Sequence, residues 1–325
     1  MGTIGSLVTP LAVAAALGGL SMVEVELPEV FVEAQTIELR DRFYDMVIPD
    51  EHVIWAVGKS GKIIRSNDQA ASFTVQETPT ISHLQSIAAW DDKRAVVVGN
   101  NATTLRTSDG GVTWQLSEAP LNKIGNKIFS VDIAPNGRAW ATAEFGSVLY
   151  SDDYGVSWTR VGTDEDVAWN DVGFAENGRV CIIGEFGGLA CSDDSGNSWL
   201  RKDSPVENSM MGIAFSDGRH GVGVGLNGKL IRTDDAGENW RLVESPTKKQ
   251  FYGVTWDEDK WIVVGEKGAL FSYYPEQDSW TSEDLGPRGN IWHTSVVASD
   301  GRIYLAGQKL GYTQQGSLVQ FGRIR

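Results

Sequence analysis

The chain has 325 residues, with 43 Asp and Glu against 28 Lys and Arg and a net charge of −15. So acidic a protein is not expected to bind nucleic acid or an anionic membrane surface, and it attracts neutral or basic protein surfaces instead. The histidines His52, His83, His220 and His293 have no metal-ligand spacing, so no metal or other cofactor is expected.

Residues 4–23 (IGSLVTPLAVAAALGGLSMV) carry no charge. Residues 1–23 are expected to be a secretory signal peptide or an N-terminal membrane anchor, although no Lys or Arg precedes them. That places the remainder, 24–325, in the cell envelope, periplasmic or facing the periplasm from a membrane anchor. Residues 30–35 read as a strand that opens the folded part.

From there an eight-residue pattern, Ser/Thr-x-Asp-x-Gly-x-Ser/Thr-Trp, recurs along the chain. It appears at 107–114, 151–158, 192–199 and 233–240, the last with Asn239 in place of the hydroxyl residue. Worn copies stand at 66–73, without the Gly, and at 273–280, with Pro275 and Gln277 in place of Asp and Gly. The Asp suits a carboxylate that accepts backbone N–H bonds in a tight turn, the Gly supplies a positive φ, and the Trp closes the turn as an apolar plug. The closing aromatics Phe73, Trp114, Trp158, Trp199, Trp240 and Trp280 are spaced by 41, 44, 41, 41 and 40 residues, the length of one four-stranded propeller blade.

Aligning the copies predicts seven inner strands, beginning at Phe43-Tyr44, Leu84-Gln85, Ile128-Phe129, Trp169-Asn170, Met210-Met211, Phe251-Tyr252 and Trp292-His293. One face carries bulky residues, and the other carries Asp45, Ser86, Ser130, Asp171, Gly212, Gly253 and Thr294, small enough to crowd around an axis. Hairpin signals follow each inner strand, among them Asn136-Gly137 and Asn177-Gly178. Residues 317–321 read as the third strand of the last blade, and the N-terminal strand is expected to complete that blade and close the ring. The predicted fold is therefore all-β, a seven-bladed propeller of four-stranded antiparallel blades.

The pattern is the Asp-box, or BNR, repeat. With the Val-Gly-x-x-Gly-x-Leu/Ile unit that precedes the boxes, from which blades two and three deviate at 99–102 and 143–146, the segment from about 43 to 280 resembles the photosystem II assembly and stability factor family. The resemblance implies a seven-bladed propeller without catalytic activity. It also implies an assembly or accessory role on membrane complexes, including, for bacterial envelope relatives, transporters of the resistance-nodulation-division type. The alternatives are a photosystem II assembly factor and a sialidase-like or other glycan-active or glycan-binding propeller. The glycan-hydrolysing reading needs an arginine cluster. Arg65, Arg106 and Arg232 instead precede boxes on third strands, where they face outward or between blades, so no catalytic residue and no small-molecule substrate is expected.

Glu144, Glu185 and Glu266 share one turn position, which reads as an acidic rim. The neighbouring turns Glu144-Phe145-Gly146 and Glu185-Phe186-Gly187 place Phe145 and Phe186 on the face where the inner strands begin. With Tyr44, Phe129 and Tyr252 they make an aromatic contact patch for a membrane protein complex. Cys181 and Cys191 lie opposite each other on a hairpin centred near Phe186, as a cross-strand disulfide in an exported protein or as two reduced buried thiols.

Overall fold

The computed structural model describes residues 36–162, 165–286, 289–314 and 316–322. Among them 28 strands form seven four-stranded antiparallel sheets, each made of four strands consecutive in the chain. Blade three is typical, with Ile128–Ile133 innermost, then Ala139–Ala143, Val148–Ser151 and Thr159–Arg160. The second strand of that blade is buried along its whole length, as a strand covered on both faces must be. The expected leader or anchor and the expected strand at 30–35 lie outside the described residues. Among the described residues no helix is long and apolar enough to cross a membrane.

The Asp-box works through its carboxylate. In the third box Asp153 accepts from the Ser151 hydroxyl at 2.8 Å, the Ser157 N–H at 2.9 Å and the Ser157 hydroxyl at 2.6 Å, while the Gly155 N–H donates to Ser151 Oγ at 2.9 Å. The same set recurs around Asp109, Asp194 and Asp235, with Asn239 supplying an amide N–H where the others supply a hydroxyl. The worn first box keeps it too, because Ala70 adopts the left-handed φ of 69° that glycine holds elsewhere. Hydrogen bonds from Ser72 and Ser66 hold the Asp68 carboxyl below the usual range, so the box is built around the ionised form.

Once the turn is fixed, the aromatic that ends it falls into the seam with the preceding blade. Trp114 donates its indole N–H to Gln76 of blade one, Trp199 to the Val161 carbonyl of blade three and Trp280 to the Glu244 carbonyl of blade five. Trp199 also meets Trp140 edge to face at 6.2 Å. Phe73 performs the same service between blades one and seven, 5.1 Å from Phe321. Removing such a buried aromatic typically costs about 3–5 kcal/mol.

The last blade differs from the expectation in two ways. Its strands are His293–Ser299, Arg302–Gly307, Gly311–Gln314 and Ser317–Gln320, so the segment read as its third strand is its fourth, and residues 293–320 complete the blade. Its inner strand begins one residue later than the repeat spacing gave. His293 pairs with Gly307 as Phe251 pairs with Gly265, so His293 and not Trp292 takes the core-facing slot. A one-residue slip exchanges the two faces of a strand, so Ser295 replaces Thr294 in the axial ring. Burial pushes the His293 imidazole down to about 4 and holds it neutral, with both ring nitrogens lacking a partner.

Two glycines separate backbone strain from packing. Gly196 in the fourth box has φ 86°, and a Cβ there would stand 2.8 Å from the Trp140 ring, whereas Gly137 has φ 85° with nothing within 4 Å. Gly137→Ala is expected to cost about 1 kcal/mol, the left-handed strain alone. Gly196→Ala is expected to cost about 1–3 kcal/mol more from overpacking. Denaturant unfolding of both variants checks the difference, and equal losses would refute the packing role of the box glycine.

Candidate partner-binding face and axial channel

In every blade the loop from the preceding blade and the turn between second and third strands lie at the end where the inner strand begins. The strand-start face is therefore made of these loops and turns, and the opposite face carries the Asp-boxes. On the strand-start face Phe186 is 76% exposed, held out by a φ of 55°. Phe145 has the same backbone, with φ 53°, but its ring is half-buried and lies near Gly125 of the incoming loop. The two turns therefore share one conformation and differ in exposure. Sequence reasoning missed Leu39, Ile81 and Ile124, exposed by 79%, 87% and 69% on the loops entering blades one, two and three. Together with Phe186 they place exposed large apolar residues on four successive blades of this face. Their only signal in the sequence is an apolar residue inside an otherwise polar connection.

Glu144, Glu185 and Glu266 do occupy one structural position, and each performs a backbone task there. Glu144 accepts from the Asn126 and Lys127 N–H groups, Glu185 from Ala168 and Glu266 from Gln250. Each carboxylate thus caps the residues that lead into the inner strand of its own blade. This ties the turn to the incoming loop and fixes where the neighbouring aromatic stands.

Inside this rim the seven inner strands enclose an axial channel of about 1010 Å³. Tyr44, Phe129, Tyr252, Met211, Gln85, Asn170 and Thr294 form its mouth on the strand-start face. Tyr44 stacks on Trp292 at 6.2 Å and 12°. One step deeper, acids and serines join neighbouring blades. Asp45 of blade one accepts from the Ser86 hydroxyl at 2.7 Å and the Ile87 N–H at 3.0 Å of blade two. Asp171 of blade four accepts from Ser130 of blade three at 2.6 Å and from the Ile213 N–H of blade five at 2.8 Å. Thr294 donates to the Tyr44 carbonyl at 2.7 Å across the seam between blades seven and one. Burial raises both carboxyls and these hydrogen bonds partly offset it, leaving Asp171 at about 6.

Asp132, two residues deeper on the same face of blade three as Ser130, was not singled out by sequence because only the first axial position of each inner strand was compared across the blades. The equivalent positions in the other blades are Val47, Ala88, Gly173, Ala214, Thr255 and Val297, all uncharged. Asp132 accepts from the Ile133 N–H at 2.7 Å and is exposed to the lumen, inside the ring of strands rather than beneath other side chains. Partial desolvation within that ring, reinforced by the charges of Asp171 and Asp45, lifts its carboxyl to about 7.

The arginines stay off the axis. Arg65 lies over Trp55 at 4.7 Å and donates to the Gly110 and Asp92 carbonyls of the next blade, and Arg232 reaches the Pro275 carbonyl of blade six. Arg106 pairs with Gln115 on its own blade. Among the described residues no arginine, lysine or histidine lines the channel. Among the described residues no cluster of His, Cys, Asp and Glu has the makings of a metal site. Cys181 and Cys191 are directly paired across neighbouring strands and joined as a disulfide, with Cα atoms 4.1 Å apart, beneath Gly237 of the fifth box.

A carboxyl whose proton affinity rises on folding stabilises the fold below its unfolded value near 4, and loses that contribution as pH climbs through its folded value. Asp132→Asn is therefore expected to raise Tm by an amount that grows between pH 4 and pH 7 and then levels off. Calorimetry across that range checks it, and a pH-independent difference would show that Asp132 titrates normally.

Residues 71–199 match the model of the family described as photosynthesis system II assembly factor YCF48. No curated protein sequence matches the chain. Among solved structures, YCF48 bound to D1 peptide is similar at 16% identity and a TM-score of 0.69, over 88% of this chain and 94% of that one. YCF48 from Cyanidioschyzon merolae is similar at 14% and 0.67, over 85% and 97%. Selenomethionine-substituted virginiamycin B lyase from Staphylococcus aureus is similar at 13% and 0.74, over 84% and 94%. At such identities the structures speak for the fold alone, which assembly factors and a lyase share. Residues 71–199 thus match the repeat of the photosystem II assembly factor family, and the chain as a whole is a seven-bladed Asp-box propeller.

Proposed function

We propose that this chain is a non-catalytic interaction scaffold or assembly factor that docks a membrane protein complex of the cell envelope through its strand-start face. The observation that carries this reading is the run of exposed apolar side chains Leu39, Ile81, Ile124 and Phe186 on the loops and turns of four neighbouring blades, beside an aromatic channel mouth. Water-exposed apolar groups gathered on one face favour a protein partner. The peptide bound by YCF48 supports a membrane-protein partner by analogy of fold. Transporters of the resistance-nodulation-division type are the envelope partner that the family resemblance implies. Among the described residues the channel has acids but no cationic side chain to grip a substrate carboxylate, which weighs against a sialidase-like reaction.

Affinity purification of the full-length protein from its own membranes tests the reading. A membrane complex is expected to co-purify in near-stoichiometric amount and to fall about tenfold with Phe186→Ala, the loss of one exposed anchor worth about 1.4 kcal/mol. Phe145→Ala, at a half-buried ring, is expected to have the smaller effect. Recovery of the protein alone, or full retention by Phe186→Ala, would contradict docking through this face.

A further inference from the structure

The axial channel holds three carboxylates, from Asp45, Asp132 and Asp171, and among the described residues none that lines it is cationic. The other titratable groups facing the lumen are the phenols of Tyr44 and Tyr252 at the mouth. Both are raised from their ordinary value by burial, so they bring no further charge at neutral pH. Asp45 and Asp171 are occupied, because their oxygens accept from serines and backbone N–H groups of neighbouring blades. Asp132 is not occupied in this way. It takes one N–H from its own strand, and no donor among the described residues reaches its second oxygen.

The mouth above it supplies a second kind of recognition. Tyr44 and Trp292 stack on one side, and Phe129 and Tyr252 stand on the others, so a guanidinium or ammonium entering from the strand-start face passes aromatic rings before it meets an anion. The depth suits a long side chain. Asp132 is three residues along its strand from Phe129, about 10 Å at the rise of a β-strand. Only Arg and Lys carry a charge on a stem long enough to descend from the mouth toward it.

We propose that the strand-start face recognises a partner segment by drawing one of its Arg or Lys side chains into the axial channel, where Asp132 is the counter-ion and the aromatic mouth holds the stem. The apolar residues on blades one to four then bind the flanks of that segment. This rests on the docking reading above and adds the charge class of the segment that is docked. It also gives the channel acid a use: three carboxylates face one lumen without a cation among the described residues, and a partner cation supplies the missing charge.

The test is direct titration of the full-length protein with two capped tripeptides, Phe-Arg-Phe and its citrulline counterpart, which keeps the shape and loses the charge. At pH 8 and low salt the Arg tripeptide is expected to bind at least about tenfold more tightly. Asp132→Asn, which the pH argument makes no less stable than the parent, is expected to abolish the preference, and Asp132→Glu to keep most of it. The preference is also expected to fade as pH drops through 7, where Asp132 takes up its proton. Equal affinities, no binding of the Arg tripeptide, or an undiminished preference in Asp132→Asn would overturn the proposal. None of these results touches docking itself, which the co-purification with Phe186→Ala decides separately.

Discussion

The box carboxylate is the interaction on which the rest of this structure depends. An Asp that accepts three hydrogen bonds within one turn fixes the hairpin between the outer two strands of a blade. Fixing the hairpin sets the direction of the following Trp, and the Trp fills the seam with the blade before it. A local turn thereby specifies a long-range contact. Repeated around the ring, it makes each blade the lid of its neighbour, and no blade has to bury both its faces alone.

At the axis the same problem is solved with polar groups. The inner strands stand too close for large side chains, and backbone groups there would be left without partners where adjoining blades meet. Asp45, Ser86, Ser130 and Asp171 supply those partners across the seams of blades one to five. The result is a ring held by acids from inside and by aromatics from outside. It also accounts for a negatively charged lumen in a protein whose hairpin arginines are spent elsewhere, as in the pairs Arg138 to Asp152 and Arg179 to Asp193 on the box face.

Much of this was legible in the sequence, for a physical reason. Turn chemistry is local, so the box aspartates, their hydroxyl partners and the Cys181 to Cys191 register could be read directly, and six of seven inner strands begin where the alignment put them. The seventh slipped because Phe251 to His293 spans 42 residues where each of the three preceding steps spans 41, and no box follows to correct the count, which left His293 hidden as the core residue of that blade. The fourth strand at Ser317–Gln320 was taken for a third because Gly311–Gln314 lies in the one irregular stretch of the repeat. Asp132 was missed although it shares the axial face of Ser130, since only the first axial residue of each strand was compared across the repeats and the charge at the second went unread. The turn glutamates were visible, but their capping role depends on a loop some seventeen residues upstream in the chain.

The two faces of the propeller consequently differ in kind. The box face holds the machinery that joins the blades and exposes Val112, Tyr154 and Val156 within its boxes, while the strand-start face exposes Leu39, Ile81, Ile124 and Phe186 around the channel mouth. The most direct test of the account places a photoactivatable residue in native membranes at Phe186 on the one face, and separately at Val156 on the other, which is 51% exposed. The account predicts that light yields a specific adduct with a membrane protein from position 186 and none from position 156. An adduct from 156 alone, or equal adducts from both, would contradict it.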